Sequence, residues 1–509
     1  MRKTKDLLKC ALSAILAVAM ALVLLPANAL AADTYTLTLK GTTTGHTYEA
    51  YQIFTGDLST GTDGTKTLSN VQWGPGVTYT GTETASEVAE KLANKTMTIE
   101  QLEEKLTLTT PAKTVTSAEG STVIDGLDAG YYLVKDKDGT QTDTSDAYTK
   151  FIVQVVGDAT SAIKSGVPTV TKKVKDTNDS TGVTSDWQDS ADADVNDDVS
   201  YQISGTLPSN YADYSTYKYV FTDTISKGLT YTAKNAKITL YKDAVDTKGI
   251  DITSHFTEAI ADYSGTDTNY TGGRVLTWTE NDKEGLKAID GITSESKIVV
   301  TYTAKLNSDA KIGAAGNPNK VDLTYSNNPN RGGDGKTGKT PEDKNIVFTY
   351  KVTVNKVDQN KKSLAGAGFT LYKKDASGKW NQVKQYTAGN ETSFEFKGLD
   401  DGDYKLSETK TPTGYNTISD IEFTISAQHD TTADDPKLIS LSGNTKTGTA
   451  TWTVDTNAGS LSTDVVNKRG SILPSTGGMG TTVLYIGGAA LAAAAAFGIY
   501  QLHKKDKEA

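Results

Sequence analysis

The sequence predicts an all-β fold, a tandem series of immunoglobulin-like β-sandwiches with one small helical insert and a helix at the C-terminal end. Three observations predict it. Thr and Tyr, which suit a pleated surface, are abundant, and the 25 Tyr outnumber the 10 Phe and 5 Trp. Short alternating runs are divided by turns rich in Gly, Asn, Asp and Ser, the spacing of sandwich strands. A length of 509 residues calls for several domains rather than one core.

The elements follow in chain order. Residues 1–31 read as a secretory signal: Arg2, Lys3 and Lys5, an apolar run from Cys10 to Pro26, then small residues that allow cleavage after Ala29 or Ala31. Residues 32–165 form a first domain, opening on the alternating Tyr35 to Leu39 and closing on Phe151 to Val155. Between them, Ser86 to Leu92 reads as one helix. A capping-box start at Thr98 predicts a second, with Leu102 and Leu106 on one face. Residues 166–326 form a second domain. Its strands are expected at Val170 to Val174, Val199 to Ile203, Tyr217 to Ile225, Lys237 to Tyr241, Val275 to Trp278 and Ile298 to Leu306. A polar linker, 327–345, leads to a third domain, 346–470, with strands at Phe348 to Val354, Gly368 to Tyr372, Ser393 to Phe396 and Tyr404 to Ser407. After residues 471–480 comes an apolar stretch, 481–502, long enough for a transmembrane helix. A positive tail, 503–509, with His503, Lys504, Lys505 and Lys507, would hold that end inside.

Composition excludes several classes of function. The net charge is −10 and the region between the signal and the apolar C-terminal stretch carries no basic patch, which argues against nucleic acid. Cys10 is the only cysteine and lies in the signal, so no disulfide is expected. The four histidines are scattered, and neither a metal site nor a cofactor is expected. Asp192 to Asp198 places oxygens at alternate positions but lacks the Gly and Glu of a calcium loop. It reads as a solvated turn before the strand at Val199. There is no nucleotide loop and no hydrolase elbow, so no enzyme is expected.

The pentapeptide Leu473-Pro474-Ser475-Thr476-Gly477 is followed by the apolar stretch and then the basic end. That order resembles the cell-wall sorting signals of sortase substrates. The resemblance implies that a sortase thiolate attacks the Thr476 carbonyl, releases Gly477 onward and passes the acyl group to an amine. The membrane would hold the chain only until sorting, concentrating it beside the enzyme.

Two lysines stand where core residues belong. Side chains alternate across a strand, so Val170, Lys172 and Val174 share a face, as do Val352, Val354 and Lys356. A lone buried ammonium is costly and tends to lose its proton, which leaves a nucleophile. Acids fall in the same phase: Asp223 with Tyr219 and Phe221, and Glu408 with Tyr404 and Leu406. The last strands supply Asn319 and Asn467.

These sets resemble the self-cross-linking domains of Gram-positive pilins and collagen-binding surface proteins. Leu406 to Tyr415 is similar to the glutamate box of the Cna B-type domain. Phe221 to Ile225 and Asn319 to Tyr325 are similar to the fimbrial second-domain pattern. The resemblance implies isopeptide bonds Lys172–Asn319 and Lys356–Asn467, with Asp223 and Glu408 as the acids that polarise the amide carbonyl. It implies a major pilin, the backbone subunit of a sortase-assembled pilus, exported and anchored to the wall of a Gram-positive cell. Its partners would be sortase, other copies of itself, minor pilins and peptidoglycan, in support of adhesion. A monomeric wall-anchored adhesin with the same domains is the alternative.

Relatives accept the acyl group on a lysine in a Tyr-Pro-Lys-Asn context, which is absent here. Lys164 occupies the corresponding junction, with Lys173 and Lys175 as runners-up. In the first domain, Gly126 to Val134 echoes Gly398 to Leu406 and puts Asp136 in the register of Glu408. Its closing strand offers no Asn, so no bond is expected there.

Overall fold

The computed structural model describes residues 34–470, apart from 63–64, 95, 98, 141–145, 164–165 and 330–336, and the helical backbone of 480–505. Three two-layered β units follow one another along the chain.

In the first, Tyr35–Thr42 lies between Gly120–Leu127 and, in parallel, Ala159–Ala162. The facing sheet is built around Thr47–Thr60 and Gly130–Asp136, with Lys150–Val155 at its edge. Leu37, Leu39, Ala50, Ile124, Val134 and Val155 fill the space between. A second small core, with Ile53, Leu68, Val88 and Leu102, sits under the helical insert. The helix is Ala85–Ala93, one residue longer at each end than predicted. Its capping box is Thr84 with Glu87, where the side chain of each bonds the other's backbone N–H.

The second predicted helix is shorter than expected. Only Ile99–Glu103 is helical, and Thr98 lies outside the described residues. Lys105 N donates to Leu102 O and closes the turn, and Leu106–Leu108 becomes a strand paired with Val77–Tyr79. Leu106-Thr107-Leu108 is an alternating run with the β-branched Thr107 at its centre, and it wins over the helical spacing of Leu102 and Leu106.

The second unit faces two sheets. One runs Val170–Val174, Asp198–Thr206, Lys297–Leu306, Lys237–Tyr241, Ile250–Asp251. The other runs Ser190–Asp192, Asp343–Phe348, Asn317–Ser326, Tyr219–Ile225, Arg274–Glu280, Phe256–Asp262. Tyr201, Ile203, Phe221, Ile238, Leu276, Val300 and Leu323 are fully buried between them. The third unit sets Ser393–Leu399, Tyr350–Asp358, Ser460–Asn467 and Thr453–Asp455 against a five-stranded sheet centred on Gly402–Lys410.

The seams between units differ from the expected linker. Within 327–345, Asn327 and Asn328 hydrogen-bond the first unit at Asp146 O and Asp138 Oδ1. Thr337–Lys339 and the start of Asp343–Phe348 are strands of the second unit. The predicted strand Phe348 to Val354 breaks at Thr349, which is buried and donates its hydroxyl to Leu399 O at 3.1 Å. Residues up to Phe348 belong to the second unit, and Tyr350–Asp358 starts the third, so one extended path passes directly between them. Ile346, Val347 and Phe348 are apolar enough to be drawn into the cores on either side, which a loose linker would have exposed.

The run Asp192 to Asp198 is also not a solvated turn at its start. Asp192 is buried, and Asp194 accepts from Lys373 Nζ of the third unit at 2.7 Å. Lys373 also donates to Asp179 at 3.0 Å and to Asp400. Burial alone would push this ammonium down, but the Asp400 and Asp194 carboxylates outweigh it and hold it well above the usual lysine range.

Gly480–Lys505 forms one helix that contains the predicted apolar stretch. Among the described residues no helix is long and apolar enough to cross a membrane. The signal, Leu473 to Gly477 and Lys164 lie outside the described residues.

Candidate cross-link sites

Lys172, Asp223 and Asn319 meet at the centre of the second unit, and all three are fully buried. The lysine comes from one sheet, while the acid and amide come from neighbouring strands of the other, with Asp223 opposite Val321 and Ile225 opposite Asn319. Lys172 Nζ donates to Asp223 Oδ1 at 2.6 Å and to the Tyr302 hydroxyl at 2.9 Å. Tyr302 donates to Asp223 Oδ2 and accepts from Asn319 Nδ2 at 2.7 Å. Asn319 Oδ1 is buried without a partner. The Tyr201 and Tyr302 rings, stacked with centroids 5.2 Å apart, wall the amine in.

Burial pulls the Lys172 ammonium below the usual lysine range, against the attraction of Asp223. Burial also raises the Asp223 carboxyl. Both shifts favour the same neutral pair, an amine and a carboxylic acid. Tyr302 was not legible in the sequence. It alternates with Ile298, Val300, Ala304 and Leu306 like any core residue, and only the facing sheet reveals that its hydroxyl touches all three groups.

In the third unit Lys356 and Asn467 lie on adjacent parallel strands, with Lys356 opposite Val465 and Asp358 opposite Asn467. Glu408 reaches them from the facing sheet, with Lys356 Nζ 4.0 Å from its Oε1 and Asn467 Nδ2 donating to both its oxygens at 2.9 and 3.1 Å. Glu408 Oε2 also accepts from Ile418 N at 3.1 Å and Thr411 Oγ1 at 3.3 Å, which fixes the carboxyl. Lys356 Nζ donates to Val465 O at 2.9 Å. Burial, only partly opposed by Glu408, lowers its pKa to about 8. Asn467 Oδ1, like Asn319 Oδ1, is buried without a partner.

The first unit departs from this plan. Asp136 is fully buried, but its partner is His46, whose Nδ1 lies 2.7 Å away. The other ring nitrogen meets Asp146 at 2.9 Å. Hydrogen bonds to Asp136 and Asp146 raise His46 to about 10. This imidazolium between two carboxylates replaces the lysine and asparagine of the other units. A His46→Ala variant leaves Asp136 short of a donor, and the first unit should lose about 1–3 kcal/mol of stability. The folded pKa of His46 lies above its unfolded value. Its contribution is therefore full below about pH 6.5 and lost as pH rises towards 10. Denaturant unfolding at pH 6 and pH 10 checks both statements; equal wild-type stability of this unit at the two would contradict them.

Among the lysines considered as acyl acceptors, Lys173 is held by Asp189 and Lys175 Nζ lies 5.2 Å above the Trp187 ring.

Three β units in series, two with a lysine, an acid and an asparagine buried between their sheets, share their fold with a solved three-domain pilin. Residues 350–437 match the family model for the SpaA prealbumin-like fold domain. Over 283 residues the chain is 30% identical to the trypsin-resistant surface T6 protein of Streptococcus pyogenes serotype M6, covering 50% of this chain and 45% of that protein. The chain thus aligns with less than half the length of that curated relative. The T6 backbone pilin of serotype M6 S. pyogenes, a modular three-domain structure, matches with a TM-score of 0.51 at 19% identity, over 86% of this chain and 99% of that one. The full-length major pilin SpaD of Corynebacterium diphtheriae matches over 86% of this chain and 98% of its own, with a TM-score of 0.44 at 18% identity.

Proposed function

We propose that this chain is the shaft subunit of a covalently polymerised surface pilus, stiffened by internal bonds Lys172–Asn319 and Lys356–Asn467. The observation that carries the reading is the pair of buried Lys–acid–Asn sets, each tying the first strand of a unit to a closing one. In each set the neutral amine attacks the asparagine Cγ. In the second unit the Asp223 carboxyl, raised by burial, donates to Oδ1, the acceptor left without a partner, once the amide has turned to present it, and Glu408 holds the corresponding place in the third. The new bond is Nζ–Cγ, the broken one is Cγ–Nδ2, and the nitrogen departs as ammonia with a proton from the amine. Tyr302, hydrogen-bonded to lysine, acid and amide, is placed to relay that proton in the second unit. Each reaction runs once per chain and is maturation, not turnover.

On this reading the signal directs export, and residues 481–502 hold the chain as a transmembrane helix. Sortase then cleaves between Thr476 and Gly477 and joins Thr476 to Lys164 of a second copy, or finally to peptidoglycan. The finished polymer stands on the cell surface and carries minor pilins. Wall extracts on denaturing gels should show a ladder of multiples, and Lys164→Ala should collapse it to the monomer. An unchanged ladder in that variant moves the acceptor to another lysine. A wild-type extract with no ladder overturns the shaft reading in favour of a monomeric wall-anchored adhesin.

A further inference from the structure

At the seam between the second and third units, three ligating side chains converge. Asp176 and Asp192 come from the second unit and His429 from the end of Ile421–His429 in the third. One ligand atom from each lies within 4.8 Å of the others, and His429 Nε2 is 3.3 Å from Asp176 Oδ2. The far side of the ring sets its tautomer. Ser190 Oγ donates its one proton to Asp430 O, so it can only accept from His429 Nδ1, 2.7 Å away. A neutral His429 therefore carries its proton on Nδ1 and turns the bare Nε2 towards Asp176.

Two acceptors thus face each other, and Asp192 adds a third. It is buried, and the Tyr350 hydroxyl beside it offers a single proton to its carboxyl. The neighbouring ammonium, Lys373, is already held by Asp179, Asp194 and Asp400.

We propose that Asp176, Asp192 and His429 bind a divalent transition cation, zinc fitting best, across the seam of the second and third units. An imidazole with carboxylates suits zinc better than magnesium or calcium, which prefer oxygen alone. Two ligands at zinc distances of about 2.0 Å and a tetrahedral angle stand about 3.3 Å apart. That is the separation of His429 Nε2 and Asp176 Oδ2. Ser190 supplies the hydrogen bond behind the ring that orients a metal-bound histidine. The open cleft beside the site, lined by Asn178, Gln188 and Thr431, admits a water as fourth ligand. The proposal rests on this seam and is independent of the pilus reading.

The test is calorimetric titration of the chelator-treated ectodomain with zinc chloride. One equivalent should bind and raise the melting temperature. His429→Gln and Asp176→Asn should abolish uptake while retaining the metal-free melting profile. Ser190→Ala, which leaves every ligand in place, should weaken binding about 10–100-fold. No saturable uptake by the wild-type protein overturns the proposal, because a proton on Nε2 then suffices to join His429 to Asp176. Uptake unchanged in His429→Gln and Asp176→Asn overturns it equally.

Discussion

Replacing Asn319 and Asn467 with Ala should restore the mass of the two lost ammonia molecules and remove a large part of the protein's resistance to unfolding. Intact-mass measurement should find the wild-type chain lighter by two ammonia losses, each single variant by one, and the double variant by none. Asparagine is the informative residue to remove. In Asn319→Ala the buried Lys172 keeps Asp223 and Tyr302 as partners, so the stability change reads the cross-link and not an orphaned charge. Each bond would close a loop of a hundred residues or more, for which chain entropy gives about 4–5 kcal/mol. For units of this size that corresponds to a melting shift of roughly 10–20 °C. A wild-type chain at full mass, or variants that melt with it, would remove the cross-links from the account.

The second large effect is expected at Lys373. Its ammonium joins Asp400 of the third unit to Asp179 and Asp194 of the second, and its side chain is 7% exposed. Lys373→Met fills the space but leaves three carboxylates facing one another. Removing one partner of such a buried cluster typically costs about 3–5 kcal/mol. Calorimetry should show the second and third units melting separately in the variant. The deficit should shrink on acidification, because protonating the carboxylates relieves their repulsion. An unchanged thermogram at neutral pH would show that the seam is held by its apolar contacts alone.

Much of this structure is legible in strand alternation. Lys172 and Lys356 sit in phase with valines, and both are fully buried. Asp223, Glu408, Asn319 and Asn467 follow the same rule, because a side chain's face is a local property of its strand. The same rule extends to Lys373. Phe369, Leu371 and Lys373 also share a face, and the third member is buried like the first two. What the rule cannot supply is the partner. Asp179 and Asp194 come from another unit, and nothing in their local sequence distinguishes them from solvated turn acids. Tyr302 fails for the opposite reason, since its phase marks it as core and hides a working hydroxyl. At Leu102 and Leu106 helical and strand periods compete over a short window, and β-branched threonine decides. His46 carries no periodic signal, because both its partners lie far along the chain.

The strand break at Thr349 has a consequence for digestion. Lys339, Lys344 and Lys351, the trypsin sites around this seam, all lie in paired strands. A protease needs an exposed, extended segment, and strand pairing denies it one until the sheet opens. With opening fast relative to cleavage, the rate of cutting here follows the population of the opened seam. Tryptic half-life between the second and third units is therefore a thermometer of how tightly they are joined, readable on whole cells without purifying the protein.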